Sequence, residues 1–456
     1  MSRDILENIS ALLAEGKLAD LREQLCDMNV VDIAQAMESL PEDELLRIFR
    51  ILPKDISADV FSYLEPDSQA QLLNLITDTE LENLLDDMFL DDTVDFLEEV
   101  PANVVRRVLA KADSETRCLI NRFLKYPENS AGSIMTIEMV ELHDFFTVGQ
   151  AIEHIRSTAV DKETVYTCFC IDDKRHLIGT VALHTLLMAK DNELIRDIMD
   201  TDSQLICVNT LDDQEKVADI ARKYDLLSVP VVDNEARLVG IITIDDIVDV
   251  IEDENTEDFE KMAAMLPSDK PYLKSGIFAT WRARLPWLMV LMLSATFTGM
   301  ILNHYESALA ACLVLNSYIP MLSGTGGNSG TQASVAVIRA LSLDEVDFSD
   351  IFQVLWKELR VSLLCGVCLA GANFVKMQLV DRLLLGNAAV TPTVCLVVCL
   401  TILFVVVFAK CVGCSLPILA EKIGLDPAVM ASPFISTIVD ATSLLIYFRF
   451  ASWFLL

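Results

Sequence analysis

The chain has 456 residues, is 52% hydrophobic, and carries 68 acidic against 35 basic residues for a formal net charge of −33. The apolar content excludes a disordered polyelectrolyte, which lacks the material for a core, and the acidic excess excludes DNA or RNA as the main partner, since phosphate binding needs a basic footprint. The charge is unevenly distributed: residues 271–456 hold 11 Lys/Arg and 10 Asp/Glu, whereas 1–270 hold 24 basic and 58 acidic residues. An acidic part is followed by a nearly neutral, apolar one, with length enough for about three domains.

Residues 1–130 read as helix throughout. Leu72, Leu73, Leu75 and Ile76, then Leu81, Leu84 and Leu85, recur at helical spacing, and Pro41, Pro53, Pro66 and Pro101 punctuate short segments. The phrases LPEDELLRIFRILPKD and LEEVPANVVRRVLA predict repeated helical hairpins forming a small superhelix. Asp86, Asp87, Asp91, Asp92, Asp95, Glu98 and Glu99 crowd one stretch of it. Most charge runs are solvated faces, but Asp91 and Asp95 are four apart on one face, where like charges repel unless a cation or partner intervenes.

Residues 131–253 contain an internal repeat. Cys170-Ile171-Asp172-Asp173…Leu177-Ile178-Gly179 recurs 61 positions later as Val231-Val232-Asp233-Asn234…Leu238-Val239-Gly240, and Ile134-Met135 matches Ile198-Met199. Helical patterns flank β-branched strands in each copy, which makes a tandem α/β module. The tandem resembles the CBS (cystathionine β-synthase) domain pair, an adenine-nucleotide-sensing module. Gly240 to Asp246 matches its Gly-hydrophobic-x-Thr-x-x-Asp nucleotide site, in which the Asp246 carboxylate accepts ribose hydroxyls beside Thr243. The bland alternative is a helix cap. Because the first copy carries Ala182 and Thr185 at those places, one nucleotide site per chain is expected, formed by Thr243, Asp246, Val229 and Pro230.

From Asp245 to Glu260 the chain is dense in carboxylates, with no basic residue before Lys261, while Ile247, Val248, Ile251 and Phe259 keep helical apolar positions. This predicts an acidic helix linking the sensor to the apolar part of the chain. Beyond it, five apolar runs (285–302, 308–341, 359–380, 390–419 and 428–456) reach the roughly 20 residues a helix needs to cross a bilayer. Lys274, Arg282, Arg284, Arg339, Lys357, Arg360 and Lys422 lie on one side, against Arg382 and Arg449 on the other. That bias predicts a cytoplasmic N-terminal part and, after five spans, an extracytoplasmic C-terminus. The polar start MSRDILENIS shows no cleavable signal. Cys365-x-x-Cys368 and Cys411-x-x-Cys414 have metal-ligand spacing but sit inside apolar runs without histidines, so they read as small buried hydrophobes.

Two of these runs carry chemistry. Pro320 and four glycines (Gly324, Gly326, Gly327 and Gly330) should interrupt the second span, and Asn328 and Gln332 share one face. Unwound backbone at membrane depth is tolerated only where protein or a water-filled pathway receives it; close helix packing through small residues is the competing explanation. In the fifth span Asp440 is the only deep acid. A carboxylate there costs about 2.5–3.5 kcal/mol and faces a cavity or partner. Stepping back by fours gives Ser436, Ser432 and Ala428, a small polar stripe ending on one charge and suited to a cation.

Gly-Thr-Gly-Gly-Asn-x-Gly-Thr-Gln in the second span and Pro-Phe-Ile-Ser-Thr-x-x-Asp in the fifth resemble the MgtE family of magnesium transporters and channels, and the order of parts agrees over essentially the whole chain. The resemblance implies a multidomain protein: an all-α superhelical N domain (1–130), an α/β CBS pair (131–197 and 198–246), an acidic plug helix (247–270) and an all-α domain of five transmembrane helices (271–456). It further implies a homodimer in the plasma (inner) membrane with the pore on its two-fold axis, ATP at the CBS pair, and closure when Mg²⁺ bridges plug carboxylates. Carried across, Asp440 is the pore carboxylate, with Asn328, Gly324, Ser436, Thr437 and Ala428 around it. Asp91, Asp95, Asp225, Glu254, Glu257 and Asp258 take sensing positions, and Asp59 does so less securely because a glutamate is associated with that place.

The physics is consistent with that cargo. Mg²⁺ dehydrates reluctantly, so its pore should present hydroxyls, amides and carbonyls to a hydrated ion. Two carboxylates about 6 Å apart repel by on the order of 2–3 kcal/mol at an effective dielectric near 20, and a bridging divalent cation reverses that sign. Competing readings are ion-coupled transport of Mg²⁺ or another divalent ion such as Co²⁺, and a non-conducting, membrane-tethered nucleotide sensor. An intramembrane protease is disfavoured because Ser329 has no partner histidine nearer than His304, and Asp440 no second deep aspartate.

Overall fold

Proline decides where the first helices begin. In a computed structural model describing residues 3–159, 162–201, 205–268, 272–273, 275–343, 345–430 and 432–455, Pro41, Pro53 and Pro101 immediately precede helices, and Pro66 occupies a first turn. There a missing N–H costs nothing. Ten short helices result: α1 (Arg3–Glu15), α2 (Leu18–Cys26), α3 (Val30–Glu38), α4 (Glu42–Ile51), α5 (Lys54–Ser62), α6 (Pro66–Leu75), α7 (Asp78–Asp87), α8 (Leu90–Glu99), α9 (Ala102–Lys111) and α10 (Ser114–Phe123). From α3 onward each packs on the helix two places along, giving an odd row and an even row. Leu72, Leu73, Leu81, Leu84 and Leu85 are buried between rows, while Leu75 is exposed. Arg50 reaches Glu80 at 2.7 Å and Arg107 reaches Asp78 at 3.1 Å, tying neighbouring turns of this superhelix.

The repeat folds twice into the same three-stranded sheet. In the first copy β1 (Glu141–His143) pairs parallel to β2 (Thr167–Ile171), which pairs antiparallel to β3 (Leu177–Ala182); α11 (Val148–Thr158), α12 (Leu183–Met188) and α13 (Ile195–Ile198) accompany them. In the second, β4 (Val208–Asn209) pairs parallel to β5 (Ser228–Val232) and β5 antiparallel to β6 (Leu238–Thr243), with α14 (Gln214–Tyr224) between. Cys170 faces Gly179 and Val231 faces Gly240, with a register shift at the next residue in both copies. The lead-in to each copy crosses to the other sheet: Thr136 bridges Ile241, and Asp200 bridges Thr180. Gly240 and Gly179 admit this approach, because a Cβ on either would meet the Thr136 or Asp200 carbonyl at 2.5 or 3.0 Å.

Helix α15 (Ile244–Met262) runs unbroken from the last strand through the acidic stretch, so the expected division between 246 and 247 falls inside one helix. The chain divides into two units, Met1–Ile251 and Glu252–Leu456. In the second lie α16 (Ile277–His304), the short α17 (Glu306–Ala311), α18 (Ile319–Ser342), α19 (Ile351–Lys376), α20 (Pro392–Lys422) and α21 (Ser432–Phe454). Among the described residues four segments are long and apolar enough to cross a membrane: Ile277–His304, Phe348–Leu384, Pro392–Lys422 and Pro427–Phe454. The fifth expected span corresponds to α18, whose glycines, hydroxyls and amides dilute its hydropathy. Lys274, expected at the flank of the first span, and Leu456, at the end of the last, lie outside the described residues, as do the side chains of Glu99 and Ser432.

Contrary to expectation, the glycines of the second span do not interrupt it. The irregular backbone lies earlier, in a 3-10 turn over Leu313–Tyr318, and Pro320 sits in the first turn of an unbroken 24-residue helix. The reason is packing. A Cβ on Gly326 would come within 2.7 Å of Val405 and 2.8 Å of Val439, one on Gly330 within 2.7 Å of Ile435, and one on Gly413 would overlap the Gly330 backbone. Small residues let α18 seat against α20 and α21 at backbone distance, and breaking the helix there would strand backbone polar groups.

Candidate functional site

Asp440 lies on α21, half-buried, and accepts a hydrogen bond from the Ser323 hydroxyl of α18. Among the described residues no lysine or arginine pairs with it. Ser436, one turn earlier, stands against Gly327, where a Cβ would meet its Oγ at 3.3 Å. Thr437 donates to the Pro433 carbonyl at 3.0 Å and lies 3.5 Å from the Ser294 hydroxyl of α16. Gly324, Asn328 and Gln332 fall at four-residue steps on α18 and are all exposed in the single chain. A glycine, two amides and the adjoining Ser323–Asp440 pair thus make one polar strip along an otherwise apolar bundle. Ala428 does not join it: α21 begins at Ser432, and Ala428 sits in a separate turn (Pro427–Met430), 1% exposed, with its N–H on Asp426 Oδ1 at 2.7 Å. The four-residue stepping used to reach it fails because the helix does not extend that far.

Asp426 also meets the acidic helix. Lys261 Nζ lies 2.6 Å from Asp426 Oδ2 and 2.7 Å from Glu257 Oε1. Burial opposes the Lys261 charge, but the bonds to Asp426 and Glu257 hold its pKa above the ordinary lysine value. Burial, then Asp426, push the Asp258 carboxyl up. Glu254 is half-buried on the same helix.

The first unit gathers a second set of carboxylates. Asp91 is 9% exposed, and burial, followed by Asp92, Asp246 and Glu138, raises its pKa well above the ordinary carboxylate range. Asp92 accepts from Ser62 at 2.9 Å yet is also raised, by burial and then by Asp59, Asp245 and Glu138. Burial, with Asp245 and Asp92 adding, brings Asp246 to about 6. Burial and the same neighbours bring Glu163 to about 7. Asp59 belongs to this field, whereas Asp95, one turn after Asp91 on α8, is exposed.

That cluster holds the residues expected to bind nucleotide. Thr243 Oγ1 donates to Asp246 Oδ2 at 2.8 Å, both within the carboxylate field, and Val229 is fully buried in β5. Among the described residues an open cleft lies elsewhere in the CBS pair. It measures about 820 Å³ and is lined by Tyr166, Thr180, Asp200, Asp225, Ser228 and Pro230 among others, including Ala182 and Thr185, the first-copy counterparts of Thr243 and Asp246. Of the four residues expected at the site, the structure brings only Pro230 to this cleft. Thr243 and Asp246 stand instead among the carboxylates of Asp91, Asp92, Asp245 and Glu163. Asp225, expected among the sensing carboxylates, also lines the cleft, at a left-handed φ of 52° that ends α14.

Several polar groups escaped sequence reasoning. Tyr318 and Lys376 both bond Asp381 Oδ2 at 2.9 Å, where α19 continues as a π-helix over Met377–Leu384. Lys410, 7% exposed, forms an ion pair with Glu358 at 3.6 Å. Lys410 is the sole charge in the run 390–419, and a lone charge in an apolar run is the same signal that marks Asp440. Glu138 and Glu163 gave no signal, because only folding brings them to α8.

Three family models match the chain. The one described as a divalent cation transporter, MgtE, matches residues 319–450; those for the MgtE intracellular N domain and the CBS domain match 28–129 and 195–253. Magnesium transporter MgtE of Thermus thermophilus is 35% identical over 99% of this chain and 98% of its own, and that of Bacillus subtilis 31% identical over the same shares. The crystal structure of the cytosolic domain of the Mg²⁺ channel MgtE in complex with ATP is similar at 33% identity and a TM-score of 0.51, covering 54% of this chain and 99% of that one.

Proposed function

Since the chain belongs to the MgtE family of divalent cation transporters, we propose that it is an Mg²⁺ channel of the plasma (inner) membrane, open or closed according to Mg²⁺ on its acidic domains and modulated by ATP. Its magnesium-transporting relatives match over nearly the full length. The observation that carries the reading is the Ser323–Asp440 contact between α18 and α21, beside exposed Gly324 and Asn328. In a homodimer with the two-fold axis along this strip, two Asp440 carboxylates would offer −2 to a hydrated Mg²⁺, with Asn328, Ser436 and Thr437 meeting its water shell. Placing 1–270 in the cytoplasm and the C-terminus outside follows from the distribution of Lys and Arg.

Closure would follow from charge. Asp59, Asp91, Asp92, Asp245 and Asp246 in the first unit, and Glu254, Glu257 and Asp258 on the plug segment 247–270, repel until divalent cations bind them, so Mg²⁺ favours the packed form by mass action. ATP would occupy the cleft bounded by Tyr166, Asp200 and Pro230, one site per chain.

Mg²⁺ uptake by proteoliposomes carrying wild type or Asp440→Ala tests the pathway: flux is expected to collapse in the variant, and conduction like the parent's would refute the assignment. Coupled transport is the second reading. It is favoured by the Lys410–Glu358 ion pair within the apolar bundle, because paired ionisable side chains at membrane depth mark ion and proton pathways. Flux that depends on an imposed pH gradient would select it over a channel.

A further inference from the structure

Helices α18 and α19 each pack chiefly along α20 rather than on each other. The gap this leaves is a recess of about 310 Å³, with Ile402 of α20 as its floor, Thr325 of α18 on one wall, and Leu369, Ala372, Asn373 and Lys376 of α19 on the other. One end is closed by polar contacts. Lys376 Nζ and the Tyr318 hydroxyl both bond Asp381 Oδ2 at 2.9 Å, and the ammonium stands 5.3 Å from the Tyr318 ring centre. The volume is at the small end for a ligand pocket, enough for a length of acyl chain and too little for a whole lipid.

Polarity changes along the recess in the order that a lipid would require. Residues 361–375 carry no charge between Arg360 and Lys376, so Lys376 marks the level at which α19 leaves the hydrocarbon. Along that stretch Leu364, Val367, Phe374 and Val375 are exposed, as on a helix facing acyl chains. An ammonium has three donors; Asp381 takes one, and the Lys376 side chain is 46% exposed, which leaves donors for a phosphate. Arg382, exposed on the π-helical segment, is a second cation near the same carboxylate, so two positive charges face one negative. Just below, the Asn373 amide donates to Met377 Sδ at 3.3 Å and Cys399 Sγ at 3.9 Å. Sulfur is a weak acceptor, and with the Thr325 hydroxyl this makes a level suited to ester oxygens. Leu369, Ala372 and Ile402 are apolar.

We propose that the recess holds one acyl chain of an anionic glycerophospholipid. The phosphate meets Lys376, the ester oxygens lie at the level of Asn373 and Thr325, and the chain runs over Leu369, Ala372 and Ile402. The lipid supplies the packing that α18 and α19 do not give each other, beside the helix that carries Ser323.

Native mass spectrometry of the full-length protein, purified in detergent and stripped of lipid, tests this with dioleoyl phosphatidylglycerol, dioleoyl phosphatidylcholine and inorganic phosphate as probes. Phosphatidylglycerol is expected to be retained once per chain and at least ~10-fold more tightly than phosphatidylcholine, and phosphate alone should not be retained. Ala372→Phe fills the recess from an exposed position; it should abolish retention of both lipids while the melting temperature without lipid holds. Lys376→Gln should bring phosphatidylglycerol down to the phosphatidylcholine level. Lys376→Arg should keep the preference, which separates loss of the headgroup contact from loosening around Asp381. Equal retention of the two lipids by the wild type would overturn the headgroup assignment, and undiminished phosphatidylglycerol binding in Ala372→Phe would overturn the recess. Retention of phosphate alone would make this an anion site without a lipid. Dissociation of a dimer into monomers in Ala372→Phe would show that a second copy of the chain covers the recess instead.

Discussion

Raising the pH without divalent cations should loosen the first unit where α8 meets the start of α15. The carboxyl groups of Asp246 and Glu163 lie at about 6 and about 7, pushed there mainly by burial and then by neighbouring carboxylates. Both are raised above their unfolded values, so the folded state holds more protons between pH 4 and 7; its stability is greatest at low pH and falls as pH rises through that window. From pH 5 to 8, Asp246 loses about one unit's worth, ~1.4 kcal/mol. Glu163 loses two units' worth, which solvent screening of a half-exposed group reduces to about 1.4 kcal/mol. Together this is about 3 kcal/mol, or roughly 100-fold in the opening equilibrium. All four tryptophans lie in 271–456, so intrinsic fluorescence would not report it. Hydrogen exchange of peptides covering 90–99 and 244–250, corrected for the intrinsic pH dependence of exchange, would. Protection in EDTA should fall on the order of 100-fold from pH 5 to 8, and millimolar Mg²⁺ should restore it at pH 8. Equal protection at both pH values in EDTA would refute the electrostatic account.

Contacts in the second unit set three further expectations. Gly413→Ala drives a methyl into the Gly330 backbone, whereas Gly371 on α19 has nothing within 4 Å of a Cβ; the first should lower stability by about 1–3 kcal/mol or more, and substituting alanine at the second should leave the melting temperature level or slightly higher. Lys261→Ala removes the cation between Glu257 and Asp426, so proteoliposome flux should need several-fold more Mg²⁺ to close; an unchanged closing concentration would show the bridge plays no part in gating. Breaking the buried pair by Lys410→Met alone should destabilise by about 3–5 kcal/mol, while Lys410→Met with Glu358→Leu should recover most of that in thermal unfolding. A double variant as unstable as the single one would point instead to packing at those positions.

Composition and periodicity were sufficient for the order of parts. Prolines at helix starts, a 61-residue repeat and apolar runs are local signals, and local signals set where helices, strands and spans begin. Asp440 was legible for a related reason: one carboxylate in an apolar run is anomalous wherever the run packs. What sequence could not supply was the company each residue keeps. The α18 glycines have the same composition whether they break a helix or seat it, and only the proximity of Val405, Ile435 and Gly413 decides for seating. Thr243 and Asp246 match a nucleotide motif along the chain, yet Asp91, Glu138 and Glu163 arrive from distant positions and make their surroundings acidic. An open cleft forms at the counterpart positions Ala182 and Thr185, with Asp200 brought in by the isolated bridge to Thr180. Backbone preference acts over a few residues, whereas electrostatic surroundings are summed over neighbours in space, and that sum exists only once the chain has folded.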